Sequence, residues 1–243
     1  MTALVAAKQL ALPGRLEPTD LYLQAGQLTC LVGPNGSGKT SLLHAIGRIG
    51  GPKGEVSIAG IDPAKVPPSR RGHMLSYLAA SRDIAWPLIA HDLVALGQPE
   101  DVSPARIAET LSLFGLDSLA DRRVDRLSTG ERSRLLIARV LAADATLLLL
   151  DEPIANLDPL WQLRLLDHLR SMLWGANRAV LVAMHDLEMA RRYADRLLIM
   201  NEGRIVADGE PAALLASDHI TAVFGIVPSA SGWQPSSPED PRS

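Results

Sequence analysis

Cysteine is almost missing from this chain: Cys30 is the only one in 243 residues. A single thiol cannot close an intramolecular disulfide, and one set inside an apolar run reads as a buried structural thiol of a reducing compartment. Aromatics are scarce at 4%, so the core must be assembled mainly from Leu, Ala, Val and Ile. No run approaches the ~18 apolar residues that a membrane-spanning helix needs. The best candidate, Leu147 to Leu150, ends at once in Asp151 and Glu152. The N-terminus lacks the basic region and apolar segment of a secretory signal. These absences predict a cytoplasmic chain whose contact with any membrane runs through another protein. A formal charge of −3 does not supply the basic face that nucleic acid requires, so no nucleic-acid partner is expected. No internal repeat is visible.

What is present suits one α/β domain: apolar residues make up 47% and charged residues 21%, an ordinary globular balance. Leu28 to Val32 reads as a short buried strand that runs into the glycine-rich stretch Gly33-Pro34-Asn35-Gly36-Ser37-Gly38-Lys39-Thr40, and Ser41 continues a helical pattern. Strand, glycine-rich loop and helix in that order give the context in which a phosphate-binding P-loop is credible. Glycines let the loop's N–H groups turn inward on phosphate oxygens, and the helix adds its positive end. Lys39 can reach the β- and γ-phosphates, and the Thr40 hydroxyl can bind Mg²⁺. The plain alternative, a glycine turn that merely starts a helix, does not explain the full eight-residue pattern.

Ala145 to Leu150 is a continuous apolar run, which predicts a central parallel strand covered on both faces. Asp151 at its end is the expected second Mg²⁺ anchor of such an ATPase. Glu152 stands at the strand's carboxyl end, where ligands bind in open α/β sheets, and can orient or deprotonate an attacking water. Gly54 to Gly60 alternates like a strand between glycine turns and predicts an antiparallel element near the N-terminus. Ser103-Pro104 opens a helix to Phe114, and Ser128 with Glu131 has the spacing of a capping box before a second helical run. A helix near Leu160 to Leu173, a strand over Ala179 to Ala183, and a hairpin around Asn201-Glu202-Gly203 follow. Pro228 to Ser243, with four prolines and five serines, is expected to be a disordered tail.

Leu127-Ser128-Thr129-Gly130-Glu131, between the P-loop and Asp151 in chain order, resembles the signature sequence of ATP-binding cassette (ABC) transporter ATPases. Asn156-Leu157-Asp158 is similar to that family's D-loop, and His185 in Met184-His185-Asp186-Leu187 is similar to its switch histidine. Asp92 to Gly97, Ala190 to Arg196 and Ala222 to Ile226 resemble the importers of iron–siderophore complexes, haem and cobalamin; the short N-terminus resembles the cobalamin member. The resemblance implies an α/β fold: a P-loop NTPase core with a mainly parallel sheet, an N-terminal antiparallel β element and an inserted helical subdomain over about residues 86–140. Residues 1–227 would form the ATP-binding domain. It further implies ATP and Mg²⁺ as cofactors, with Glu152 and His185 as catalytic groups. Gly33 to Ser41 would hold nucleotide from one chain, and Ser128, Thr129, Gly130 and Asp158 from another. Since each motif occurs once, a second copy must pair head-to-tail. Integral membrane permease subunits and an external substrate-binding protein complete the implied assembly, with this chain peripheral on the inner membrane face.

Three positions depart from the family pattern. Thr129 replaces a glycine of the signature. No aromatic occurs between Met1 and Leu21, where the family places a ring on adenine, so apolar or polar contacts must hold the base and nucleotide selectivity could relax. Ala80, in Tyr77-Leu78-Ala79-Ala80, replaces the glutamine that touches Mg²⁺ and signals to the membrane subunit. The alternatives are an ABC ATPase of a different importer or an exporter, and a non-transport cassette protein that binds nucleotide with little hydrolysis.

Overall fold

A computed structural model describes residues 3–81, 87–97, 104–229 and 232–236. The chain opens with a tight antiparallel pair, β1 (Val5–Leu12) and β2 (Leu16–Leu23), followed by β3 (Gln27–Val32) and α1 (Lys39–Ile46). β4 (Lys53–Ile58) joins the opposite edge of β1, giving the antiparallel sheet order β2-β1-β4. α2 (Pro68–Met74) leads into β5 (Leu75–Leu78), and then come the helices α3 (Ala90–Ala95), α4 (Pro104–Leu113) and α5 (Thr129–Ala142). β6 (Leu147–Asp151), α6 (Pro159–Ser171), β7 (Ala179–Ala183), α7 (Leu187–Tyr193), β8 (Arg196–Asn201) and β9 (Arg204–Gly209) build the second half. The central sheet has the order β5-β6-β7-β3-β8-β9 and is parallel except for β9, which runs antiparallel to β8.

The unbroken apolar strands are explained by their alternation. Leu147 and Leu149 of β6 and Leu181 of β7 pack with α1 and the antiparallel sheet. Leu148, Leu150, Val180 and Val182 face the other way, into a core shared with the helices. Each strand therefore buries both faces, which leaves no polar side to alternate. Cys30 is fully buried in the second core, and burial pushes its thiol up, away from ionisation. Leu93, Ile107, Leu111, Phe114 and Leu135 of the helical region belong to that same core. Ser103, expected to begin α4, and Trp86, near the start of the helical segment, lie outside the described residues.

The expectation of a disordered tail from Pro228 needs correction. After α8 (Pro211–Leu215) and α9 (Asp218–Phe224), β10 (Ile226–Ser229) and β11 (Gly232–Pro235) form a two-stranded antiparallel hairpin. Ile226 and Trp233 pack against the main core. A two-stranded ribbon has only edges, where proline is tolerated because half of the N–H groups face away from the partner. Counting prolines and serines missed the two apolar anchors. Residues 237–243 lie outside the described residues. Among the described residues, no helix is long and apolar enough to cross a membrane.

Candidate active site

The glycine-rich loop joins the end of β3 to α1, and its path is set by close approach. A Cβ on Gly33 would overlap the Met200 carbonyl oxygen of β8, and Gly38, at φ 104, is a left-handed N-cap that a side chain would strain. The Lys39 Nζ donates to the Gly33 and Pro34 carbonyls at 2.7 and 3.1 Å, folding the side chain back over the loop. Lys39 is only 6% exposed, and burial lowers its pKa although Glu152 and Asp151 pull the other way. The Ser37 hydroxyl is buried with no hydrogen-bond partner among the described residues. An orphaned hydroxyl and a buried lysine beside a ring of backbone N–H groups fit a phosphate group well.

Thr40, in the first turn of α1, donates its hydroxyl to Asp151 Oδ2 at 2.7 Å, so two distant motifs meet across adjacent elements. Asp151 is 1% exposed, and its burial raises the carboxyl pKa against the lowering effect of the Thr40 bond. The hydroxyl and carboxylate together supply two hard oxygen ligands of the kind Mg²⁺ takes alongside phosphates and water. Tyr77 of β5 also donates to Asp151 Oδ2, at 3.5 Å. Ala80, two residues beyond that strand, is exposed.

Glu152 follows Asp151 at φ 50, a left-handed conformation that a non-glycine residue adopts at a cost. Its N–H is fixed by the Ala183 carbonyl at 2.9 Å. Its carboxylate meets His185 Nε2 at 2.5 Å. The strand ends of β6 and β7 thus bring Glu152 and His185 together.

The signature residues lie elsewhere. Ser128 caps α5: its hydroxyl accepts from the Glu131 N–H at 3.3 Å, and the Glu131 carboxylate accepts from the Ser128 N–H at 2.8 Å. Those bonds hold the Glu131 carboxyl below its ordinary range. Ser128 and Thr129 are exposed, and a Cβ on Gly130 would lie 3.5 Å from the Asn156 carbonyl. Asp158 caps α6 by accepting from the Trp161 N–H at 3.1 Å.

A cavity of about 490 Å³ opens over the loop, lined by Asn35 to Ser41 and Glu152. Gly14, Arg15, Leu16 and Glu17 from the β1–β2 turn, and Glu202 and Gly203 from the β8–β9 turn, line it too. None of Ser128, Thr129, Gly130, Asp158 or His185 lines this cavity. The hairpin at Asn201-Glu202-Gly203 is legible in the sequence, but the arrival of either turn at the cavity is not, because long-range bonds position them. The Gly203 N–H donates to the Ser37 carbonyl at 2.8 Å, and the Glu17 N–H to the Gly203 carbonyl at 3.0 Å. For the β1–β2 turn the sequence signal is Pro13-Gly14 between apolar residues.

With this geometry in hand, the comparisons with known proteins are informative. The family profile described as ABC transporter matches residues 16–155. The hemin import ATP-binding protein HmuV of Rhodopseudomonas palustris is 37% identical over 90% of this chain and 87% of its own. The cobalamin import ATP-binding protein BtuD of Halobacterium salinarum is also 37% identical, over 86% of this chain and 54% of that longer protein. Among solved structures, the dimeric post-hydrolysis cassette MJ0796 with ADP and Pi superposes at a TM-score of 0.75. It is 23% identical, covering 85% of this chain and 98% of that one, so that likeness speaks to fold alone.

Proposed function

The chain belongs to the ABC transporter family and is an ABC-type ATPase, and we propose that it works as a head-to-tail pair powering uptake of an iron chelate, haem or cobalamin. The observation that carries the pairing is the separation of the motifs: the P-loop cavity contains no signature residue, while Ser128 and Thr129 stand exposed at the start of α5. An exposed helix N-terminus capped by a serine presents N–H groups to an anion, and a second chain would close it over the γ-phosphate held by the first. Ser128, Thr129, Gly130 and Asp158 would then face the partner's nucleotide.

Within one chain, the backbone N–H groups of Asn35 to Ser41 bind the phosphates and Lys39 leaves its loop carbonyls to neutralise them. Thr40 and Asp151 would hold Mg²⁺, which would supply positive charge against the phosphates. Glu152 accepts the proton of the attacking water, and His185, in contact with its carboxylate, orients it. The names of the similar importer subunits support the choice of cargo. Permease subunits, an external binding protein and a place on the inner membrane face belong to the same reading.

Glu152→Gln tests it. The variant keeps the site's shape and loses its base, so hydrolysis falls by about 10²-fold or more while ATP still joins two chains. Size-exclusion chromatography with ATP and Mg²⁺ should show a dimer. Monomeric elution at high protein concentration, with the cognate permease present, would falsify the pairing.

A further inference from the structure

We propose that Arg15 holds the nucleotide base, its guanidinium plane taking the place of a stacking ring. The inference rests on ATP occupying the P-loop cavity. A nucleotide is linear, and Asn35 to Thr40, which line one part of the cavity, would hold its phosphates. The base must then lie against the remaining lining, contributed by the β1–β2 and β8–β9 turns. Of these groups, Gly14 and Gly203 have no side chain and Leu16 is 4% exposed, its bulk turned into the core. Glu17 and Glu202 carry carboxylates, whose negative charge is repelled by the electron-rich face of a base. Arg15 alone offers a broad planar cation, and guanidinium planes stack on bases as aromatic rings do.

The side chain is free for this task and its base is anchored. Arg15 is exposed, and among the described residues no carboxylate or carbonyl binds its guanidinium. Its backbone is fixed: the Arg15 N–H donates to the Leu12 carbonyl at 3.0 Å. The Arg15 carbonyl lies 3.1 Å from where a Cβ on Gly38 would sit. The turn therefore rests on the last glycine of the P-loop, and Arg15 leaves the backbone at the cavity's rim. A phosphate role fits less well, because Glu17 and Glu202 outnumber the single guanidinium there while Lys39 and the loop amides serve the other end. Every base has a face to stack, so GTP and CTP should bind nearly as well as ATP.

Binding of ATP and of inorganic tripolyphosphate, each with Mg²⁺, to the full chain separates base from charge. Arg15→Ala should weaken ATP about 10-fold, within the range one base stack carries, and leave tripolyphosphate unchanged. Arg15→Trp should restore ATP affinity, and Arg15→Lys should behave like Ala, since it keeps the charge and loses the plane. Equal loss of both ligands, full affinity in Arg15→Lys, no loss in Arg15→Ala or no recovery in Arg15→Trp each overturns the assignment. Loss of ATP binding by the unsubstituted chain would instead remove the ATPase reading beneath it.

Discussion

The P-loop face and the signature face are built on opposite principles. At the P-loop, Lys39 and Asp151 are buried, Lys39 on the loop carbonyls and Asp151 under the Thr40 hydroxyl, while Glu152 and His185 meet at the more open edge. At the signature, Ser128 and Glu131 cap each other on an exposed helix end. The first face concentrates desolvated charge and backbone strain, so it is unfavourable for stability and pre-organised for chemistry. The second is a local cap whose contribution to the isolated chain is a fraction of what it does in a pair. Substitutions should separate the two.

The largest effect belongs to Lys39→Ala, on the P-loop face. It removes the cation from the β- and γ-phosphates, and tight ATP binding should be lost, as read by equilibrium binding of a fluorescent ATP analogue. Retained affinity would sink the comparison, because a buried lysine with no ligand role has no reason to stay there. The chain itself should not unfold, since the lysine bonds to two carbonyls of its own loop and ties no distant elements together.

Asp151→Asn should break function and improve stability at once. Burial raises the Asp151 pKa above its ordinary 3.8, so the folded state holds that proton to higher pH than the unfolded chain. Stability contributed by this group is therefore present below pH 3.8 and is lost as pH rises through the raised value. The amide carries no charge to desolvate and can still accept from Thr40. Its melting temperature should exceed that of the unsubstituted chain at pH 7, the gain vanishing toward the acid limit, while Mg²⁺-dependent hydrolysis disappears. A lower melting temperature at pH 7 would mean that the buried carboxylate is stabilised by its partners after all.

How much of this was legible in the sequence follows the same division. The P-loop, the Asp151 strand and the Ser128 capping box are local patterns whose spacing already specifies their geometry, and the structure reproduces them. The left-handed backbone of Glu152 and the arrival of Arg15 and Glu202 at the cavity depend on strand register and on bonds such as Glu17 to Gly203. No local residue pattern encodes those. The C-terminal hairpin was obscured by its prolines, since Trp233 and Ile226 matter only where a core lies beneath them.

Ser128→Ala tests the signature face. Losing the cap should cost about 1 kcal/mol, a drop of roughly 2–4 °C in melting temperature for a chain of this size, with ATP affinity of the monomer unchanged. In the Glu152→Gln background the same change should weaken the ATP-dependent dimer, because the hydroxyl and the helix start are then missing from the partner's nucleotide. Unchanged dimer affinity would confine Ser128 to its helix.

The smallest effect is expected outside both faces, at Ala80. A methyl group neither ligates Mg²⁺ nor bonds to water, so the amide usual in the family is absent from both sites of a pair. Nearby, Thr40 and Asp151 are in contact, with Tyr77 donating to the same Asp151 oxygen at 3.5 Å. That tyrosine, Ser81 or an ordered water can occupy some of the missing amide's space; Arg82 lies outside the described residues. Bridging water replaces a direct hydrogen bond at little cost, which limits how much restoring the side chain can return. Ala80→Gln should therefore raise the ATPase rate only several-fold, more in the presence of the permease than alone, because the amide reaches toward the membrane subunit as well as the metal. Equal rates with and without the substitution, in both settings, would show that the neighbours already compensate and that Ala80 is no defect.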